Sequence, residues 1–139
     1  MRDPDRPALV AEGVLVTDAV QLALHPDGTL PRTLIVTLSG ELDYDNAEAL
    51  RTRFLALLDD DYRCLVLDLT KLTFCDSTGI RIFLALRELI DDRGGIIALT
   101  DLHPRLVRIF QMTGLVRFFA VHPSRADALA ILRDQPSAS

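Results

Sequence analysis

An α/β domain built on a mixed β-sheet is what the order of patterns along this 139-residue chain predicts. Two strand-like runs, Val14–Leu24 and Leu34–Leu38, come first and are separated by a turn. After them, helical and strand patterns alternate to the end of the chain. The first arrangement gives a hairpin and the second gives parallel crossovers. The sheet should therefore have an antiparallel entry and a parallel core, with about four to five strands and about four helices. A chain that is 49% hydrophobic and 25% charged can bury an ordinary core as one domain. That domain is expected over residues 14–133, between a flexible segment at 1–13 and a disordered tail at 134–139.

Each element has a local reason. His25-Pro26-Asp27-Gly28 supplies the hairpin turn, since proline presets the entry and glycine accepts a positive φ. Pro31 confines the start of the return strand to an edge or a turn. Ser39-Gly40-Glu41-Leu42-Asp43 ends that strand, and Asp45 or Asn46 is placed to cap a helix by accepting from its free amides. Ala47, Leu50, Phe54, Leu57 and Leu58 make the apolar stripe of this helix, with Glu48 and Thr52 toward water. Cys64–Thr70 reads as the central strand, Leu65, Leu67 and Leu69 on one face and Asp68 on the other. Asp76-Ser77-Thr78-Gly79 then starts a second helix that runs to Asp92 and stops at Arg93-Gly94-Gly95.

Ile96–Leu99 is a short continuous apolar strand, as expected where helices cover a sheet. His103-Pro104 opens a third helix through Leu106, Val107, Ile109 and Phe110, and Gly114 closes it. Phe118–Val121 is a last strand or extended segment, and Ser124 caps a final helix through Ala128, Leu129, Ile131 and Leu132. The first two helices are the most amphipathic and should pack together on one face.

The bulk numbers exclude several classes of function. A net charge of −5 with a single lysine, Lys71, argues against nucleic-acid binding, which needs clustered cations against phosphate. No apolar run approaches the ~18 residues of a membrane span, and the first residues are not patterned as a signal peptide. Cys64 and Cys75 lack the spacing of a zinc site and read as two buried thiols, which fits a reducing cytoplasm. Asp59-Asp60-Asp61 and Asp91-Asp92 read as solvated helix ends, because a cation site needs converging ligands. His25, His103 and His122 each precede a proline and fit turns.

The informative position is Ser77, where a strand hands over to a helix. Stepping ~100° per residue, Ile82, Phe83, Leu86, Leu89 and Ile90 fall in one broad arc that must face the core. Ser77, Arg81 and Glu88 fall on the opposite side, with Ile80 and Leu84 beside them. A nucleophile elbow is a poor match, since position 75 is Cys where Gly-x-Ser-x-Gly needs glycine. Its triad would have to draw on His103 or His122 with Asp101 or Asp127, and no glycine-rich oxyanion segment exists. A serine that merely caps the second helix is the plainer reading. What survives as function is a binding surface around Ser77 and the Asp43–Asn46 loop. It comprises Asp43, Asn46, Asp76, Ser77, Thr78, Gly79, Ile80, Arg81 and Leu84.

Three stretches carry a resemblance. Gly40-Glu41-Leu42-Asp43 with Asn46-Ala47, Leu72–Gly79, and Phe110–Leu115 resemble the three motifs of anti-sigma factor antagonists of the STAS domain family, over roughly Val14 to Leu132. The resemblance implies a STAS-like fold and a cytoplasmic regulator with no cofactor, not an enzyme. It implies that Ser77 is phosphorylated by the anti-sigma factor, itself a serine kinase, and that a serine phosphatase resets the switch. The unphosphorylated form would bind that kinase and release sigma, with Asp43 in the docking surface. Thr78 stands where the family commonly has serine, which makes it a second candidate acceptor. The alternative within the same fold is a non-switching adaptor subunit of a transport complex or of a stress-signalling scaffold. Elementary chemistry agrees with a phospho-switch. A helix N-terminus tolerates the added charge of about −1.5 to −2, whereas a partner docked on Ser77 would not.

Overall fold

The computed structural model describes residues 13–15, 17 and 19–134. Apart from Gly13 and Asp134, the segment expected to be flexible and the tail expected to be disordered lie outside the described residues. The strands are β1 (Gly13–Leu15), β2 (Val20–Pro26), β3 (Thr33–Leu42), β4 (Cys64–Cys75), β5 (Ile96–Thr100) and β6 (Ala120–His122). The helices are α1 (Ala47–Leu57), α2 (Ser77–Asp92), α3 (Pro104–Thr113) and α4 (Arg125–Arg133), with a 3₁₀ turn at Leu115–Arg117. The expected α/β class with a mixed sheet holds. The early run Val14–Leu24 divides into β1 and β2, which brings the sheet to six strands.

The strands lie side by side in chain order, β1 to β6. The first three pair antiparallel, and β3 through β6 pair parallel. Because the parallel part never reverses direction, right-handed crossovers put every connecting helix on the same face. Accordingly Leu50 and Phe54 of α1, Phe83, Leu86 and Ile90 of α2, and Leu106 and Phe110 of α3 share one core with Leu65, Leu67 and Leu69. The rings of Phe83, Phe110 and Phe119 meet at its centre, with centroids 5.8 to 6.5 Å apart. α1 and α2 therefore pack on one face as expected, and α3 joins them. α4 follows the last strand and covers the other face, where Ala128 packs on Ile35, Val66 and Ala98.

The central strand is longer than its alternation suggests. Leu65, Leu67 and Leu69 are buried at spacing two, but the next buried residues are Leu72 and Cys75. Pairing with β3 explains the change. Thr37 and Ser39 oppose Asp68 and Lys71, and Gly40 and Glu41 oppose Leu72 and Phe74. Each irregularity puts one extra residue on β4, so the inward face moves by three residues at each bulge. At the second, Thr73 Oγ1 donates to the Gly40 carbonyl at 3.2 Å. Gly40 itself has φ 102°, and a Cβ there would stand 2.0 Å from the Ala19 carbonyl oxygen. That close approach requires glycine.

On the α4 face, Asp68 does what its outward position in β4 allows. Its Oδ1 accepts from the Thr70 amide and hydroxyl at 3.0 and 2.6 Å, and its Oδ2 from Arg125 Nη2 at 3.0 Å. Burial pushes the carboxyl up, but the Thr70 and Arg125 contacts outweigh it and hold the pKa below its ordinary value. His25 belongs to β2 and not to the turn. The turn is built by Asp27, whose carboxylate accepts from the Thr29 and Leu30 amides. Cys64 is half-buried, because it opens β4 at the strand's rim, so only Cys75 is a fully buried thiol. Burial and the neighbouring Asp76 charge push that thiol to about 12, out of thiolate chemistry at neutral pH. The acidic corner at Asp59–Asp61 is tied down by Arg93, which donates to the Asp59 and Tyr62 carbonyls at 3.0 and 2.6 Å.

Two outcomes test this packing. Leu86, 4% exposed, should not tolerate a carboxylate: Leu86→Asp is expected to cost about 4–5 kcal/mol or more and abolish the cooperative melt seen by circular dichroism. Arg125→Ala should cost about 0.5–1 kcal/mol at pH 7. A depressed carboxyl stabilises above its unfolded value and ceases to as pH falls through its folded one. The Arg125→Ala deficit in urea midpoint should therefore shrink below about pH 4.

Candidate functional site

The site lies at the carboxyl ends of β3 and β4, where two loops run side by side. The β3–α1 loop is folded by its own side chains. The Asp43 amide donates to Asn46 Oδ1 at 2.9 Å, and Asn46 Nδ2 donates to the Glu41 carbonyl at 2.8 Å. Asp43 Oδ1 accepts from the Asp45 amide at 3.0 Å, while the Asp43 carbonyl takes the Asn46 and Ala47 amides. Asn46 stands at the N-cap of α1, yet its side chain bonds no helix amide. The expected side-chain cap by Asp45 or Asn46 is thus replaced by the Asp43 carbonyl. Asn46 is buried, so its amide must satisfy donor and acceptor together, and the loop backbone offers both.

The second loop is the turn into α2, and here the cap is Asp76. Its Oδ1 accepts from the Gly79 amide at 2.9 Å. Its Oδ2 accepts from the Tyr44 amide of the other loop, also at 2.9 Å. The Asp76 amide donates back to the Leu42 carbonyl at 3.1 Å. One carboxylate therefore starts a helix and fastens two loops. Ser77 is the first residue of α2, and its hydroxyl is exposed and makes no hydrogen bond among the described residues. The plainer reading of Ser77 as the cap is corrected: the residue before it takes that role, because a carboxylate reaches both amides.

The structure sorts the nine candidate residues into two groups. Ser77 and Arg81 are exposed, Leu84 is exposed at the margin, and Asp43, Asp76, Thr78 and Ile80 are half-buried beside them. Asn46 and Gly79 are buried and belong to the scaffold rather than to the surface. A Cβ on Gly79 would lie 2.7 Å from Cys75 Sγ and 2.8 Å from Leu42 Cγ, so the glycine lets α2 seat against both strand ends. Sequence reasoning missed Tyr44, which projects from the loop 78% exposed. An aromatic between two acids in a turn was the available signal. It also missed the open groove of about 430 Å³ beside the site, lined by Glu41, Thr73, Phe74, Arg105, Arg108 and Ile109.

Two of the candidate partners for a hydrolytic triad hold helix starts instead. His103 Nδ1 accepts from the Arg105 amide at the start of α3, and Asp101 Oδ2 accepts from the Arg125 amide at the start of α4. No helix among the described residues is long and apolar enough to cross a membrane.

These features define a small α/β domain that presents a braced, partly polar edge at the ends of its parallel strands. The chain belongs to the STAS domain family, whose model matches residues 27–128. It is similar to the anti-sigma F factor antagonist of Paenibacillus polymyxa, 34% identical over 100 residues that cover 71% of this chain and 86% of that protein. It is also similar to the anti-sigma-B factor antagonist of Bacillus subtilis, 33% identical over 82 residues, 58% of this chain and 72% of that one. Among solved structures, an anti-sigma factor antagonist from Mycobacterium paratuberculosis superposes with a TM-score of 0.72 at 29% identity, covering 84% of this chain and 97% of that one. Family and fold agree with the resemblance carried by the three motifs.

The two serine-turn residues should respond differently to truncation. Asp76→Ala removes a cap and an inter-loop bond, and is expected to lower stability by about 1–2 kcal/mol. Ser77→Ala should stay within about 0.5 kcal/mol of wild type. Urea denaturation of the two variants in parallel checks the division.

Proposed function

We propose that this protein is an anti-sigma factor antagonist that docks an anti-sigma factor serine kinase through the surface around Ser77, and that phosphorylation of Ser77 ends the complex. The observation that carries the reading is the exposed, unengaged Ser77 hydroxyl at the first turn of a helix capped by another residue. Such a hydroxyl can be modified without breaking any bond the fold uses. Tyr44, Ile80 and Leu84 give the surface apolar area, and Asp43 and Asp76 give it charge.

In the kinase step, the Ser77 Oγ bonds to the γ-phosphorus of ATP and the bond to the β-phosphate breaks. ADP leaves, and the hydroxyl proton passes to a base of the kinase. A serine phosphatase reverses the state by delivering water to phosphorus, which returns the hydroxyl and inorganic phosphate. The product carries about −1.5 to −2 added charge at the N-terminus of α2, where the dipole tolerates an anion. A partner desolvated against that spot meets the charge beside Asp76. Releasing it 100-fold takes about 2.7 kcal/mol, within reach of a buried like-charge contact. Thr78 is half-buried, which favours Ser77 over it as the acceptor.

Intact-mass analysis with the kinase and ATP, beside binding curves, tests the switch. Ser77→Ala should bind like wild type and gain no phosphate. Ser77→Asp should stay folded and bind about 10-fold more weakly, and true phosphorylation about 100-fold. Phosphate found on Thr78, or Ser77→Asp binding as tightly as wild type, would overturn the assignment. Asp43→Asn keeps the oxygen that holds the Asp45 amide while removing the charge. It should lower affinity for the kinase with an unchanged melting temperature.

A further inference from the structure

We propose that Arg81 is the intramolecular counterion of a phosphate carried on Ser77, its guanidinium pairing with the phosphoryl oxygens one helical turn away. The regulatory meaning rests on the phosphorylation proposed above; the pairing itself does not depend on which enzyme supplies the phosphate. Ser77 is the first residue of α2 and Arg81 follows four positions later. Residues so spaced share one helix face, about 5–6 Å apart at Cβ, and an anion N-terminal to a cation is the better order. Helical side chains also slope toward the N-terminus. A long arginine at position 81 therefore lies over the turn that begins at Ser77. Both residues are exposed.

Of the three arginines on or at the end of α2, Arg81 is the one in no ion pair among the described residues. Arg87 lies 3.8 Å from Asp91 and over the Phe118 ring at 5.8 Å. Arg93 holds two backbone carbonyls of the Asp59–Tyr62 corner. Arg81 takes part in no ion pair among the described residues. Its own helix offers no carboxylate one turn away, where Ser77, Thr78, Leu84 and Ala85 stand. Asp76, the nearest acid in sequence, already has one oxygen on the Gly79 amide and the other on the Tyr44 amide.

Phosphate changes this balance. Its three oxygens suit the planar fork of a guanidinium, which binds two of them at once. The serine hydroxyl gives the arginine no charge to meet; phosphoserine gives it nearly two. Modification then alters the docking surface twice, by adding an anion and by drawing a cation down onto it. An aspartate in place of Ser77 would be a poorer copy on both counts, with one charge and a shorter reach.

The test uses the full chain with phosphoserine installed at position 77 during translation, so that no kinase is needed. The phosphate's second ionisation is followed by phosphorus NMR. Asp76, Asp43 and Asp45 raise that pKa and the amides of α2 lower it, equally in every variant, so the difference between variants reads Arg81. Arg81→Gln should raise the value by about 0.2–0.4 unit and Arg81→Lys by less. Titrations of wild type and Arg81→Gln that coincide would overturn the pairing. Failure of the kinase to modify Ser77 would overturn the switch while leaving this comparison intact, so the two outcomes are told apart.

Discussion

The Asp76 carboxylate is the contact on which the two loops of the candidate site depend. With one oxygen on the Gly79 amide and the other on the Tyr44 amide, it joins the end of β4, the start of α2 and the loop after β3. Each bond alone is a helix cap or a loop tether worth about 1 kcal/mol. Together they fix the relative position of two loops that are 32 residues apart in the chain. The rest of the arrangement is built to let that carboxylate arrive. Gly79 has no side chain because Leu42 and Cys75 occupy the space, and Gly40 has none because Ala19 does. Gly40 lets β3 approach the Ala19 backbone, and Gly79 lets the first turn of α2 close over the Leu42 and Cys75 side chains.

Most of the fold was legible because its signals are local and strong. The apolar arc of α2, the proline entry to α3 and the serine cap of α4 are each decided within one or two turns. Their residues are where those rules put them: Phe83 and Ile90 in the core, Pro104 at the first turn, Ser124 Oγ on the Asp127 amide at 3.1 Å. The end of β4 was not legible, because two bulges move its buried positions from spacing two to spacing three. A register slip of that kind is a property of two strands, and a single strand's sequence carries no mark of it. The same limit applies to the split between β1 and β2.

The candidate site shows the same boundary at finer scale. Sequence alone could say that Ser77 starts a helix and faces away from the core. It could not say that Asp76 is the cap, since serine and aspartate are about equally good at the task. Three-dimensional context decides it: the Tyr44 amide approaches from the neighbouring loop, and an aspartate has a second oxygen to offer. Asn46 went astray for a related reason. Its place before an apolar stripe marks a cap, but burial turned its amide inward to the Asp43 and Glu41 backbone.

This division of tasks bears on what kind of switch the surface can be. Groups that brace the loops, Asp76, Asn46 and Gly79, are half-buried or buried and fully engaged. Ser77 and Arg81 are exposed and engaged with nothing in the described structure, so changing their charge leaves the brace untouched. A regulator whose modified residue also held its fold would have to unfold in part in order to signal, and would pay in stability at every cycle. Here the hydroxyl is relieved of structural work by the residue before it. On the proposed reading, phosphate then acts on the partner through charge and desolvation, and the domain that carries it keeps one conformation in both states.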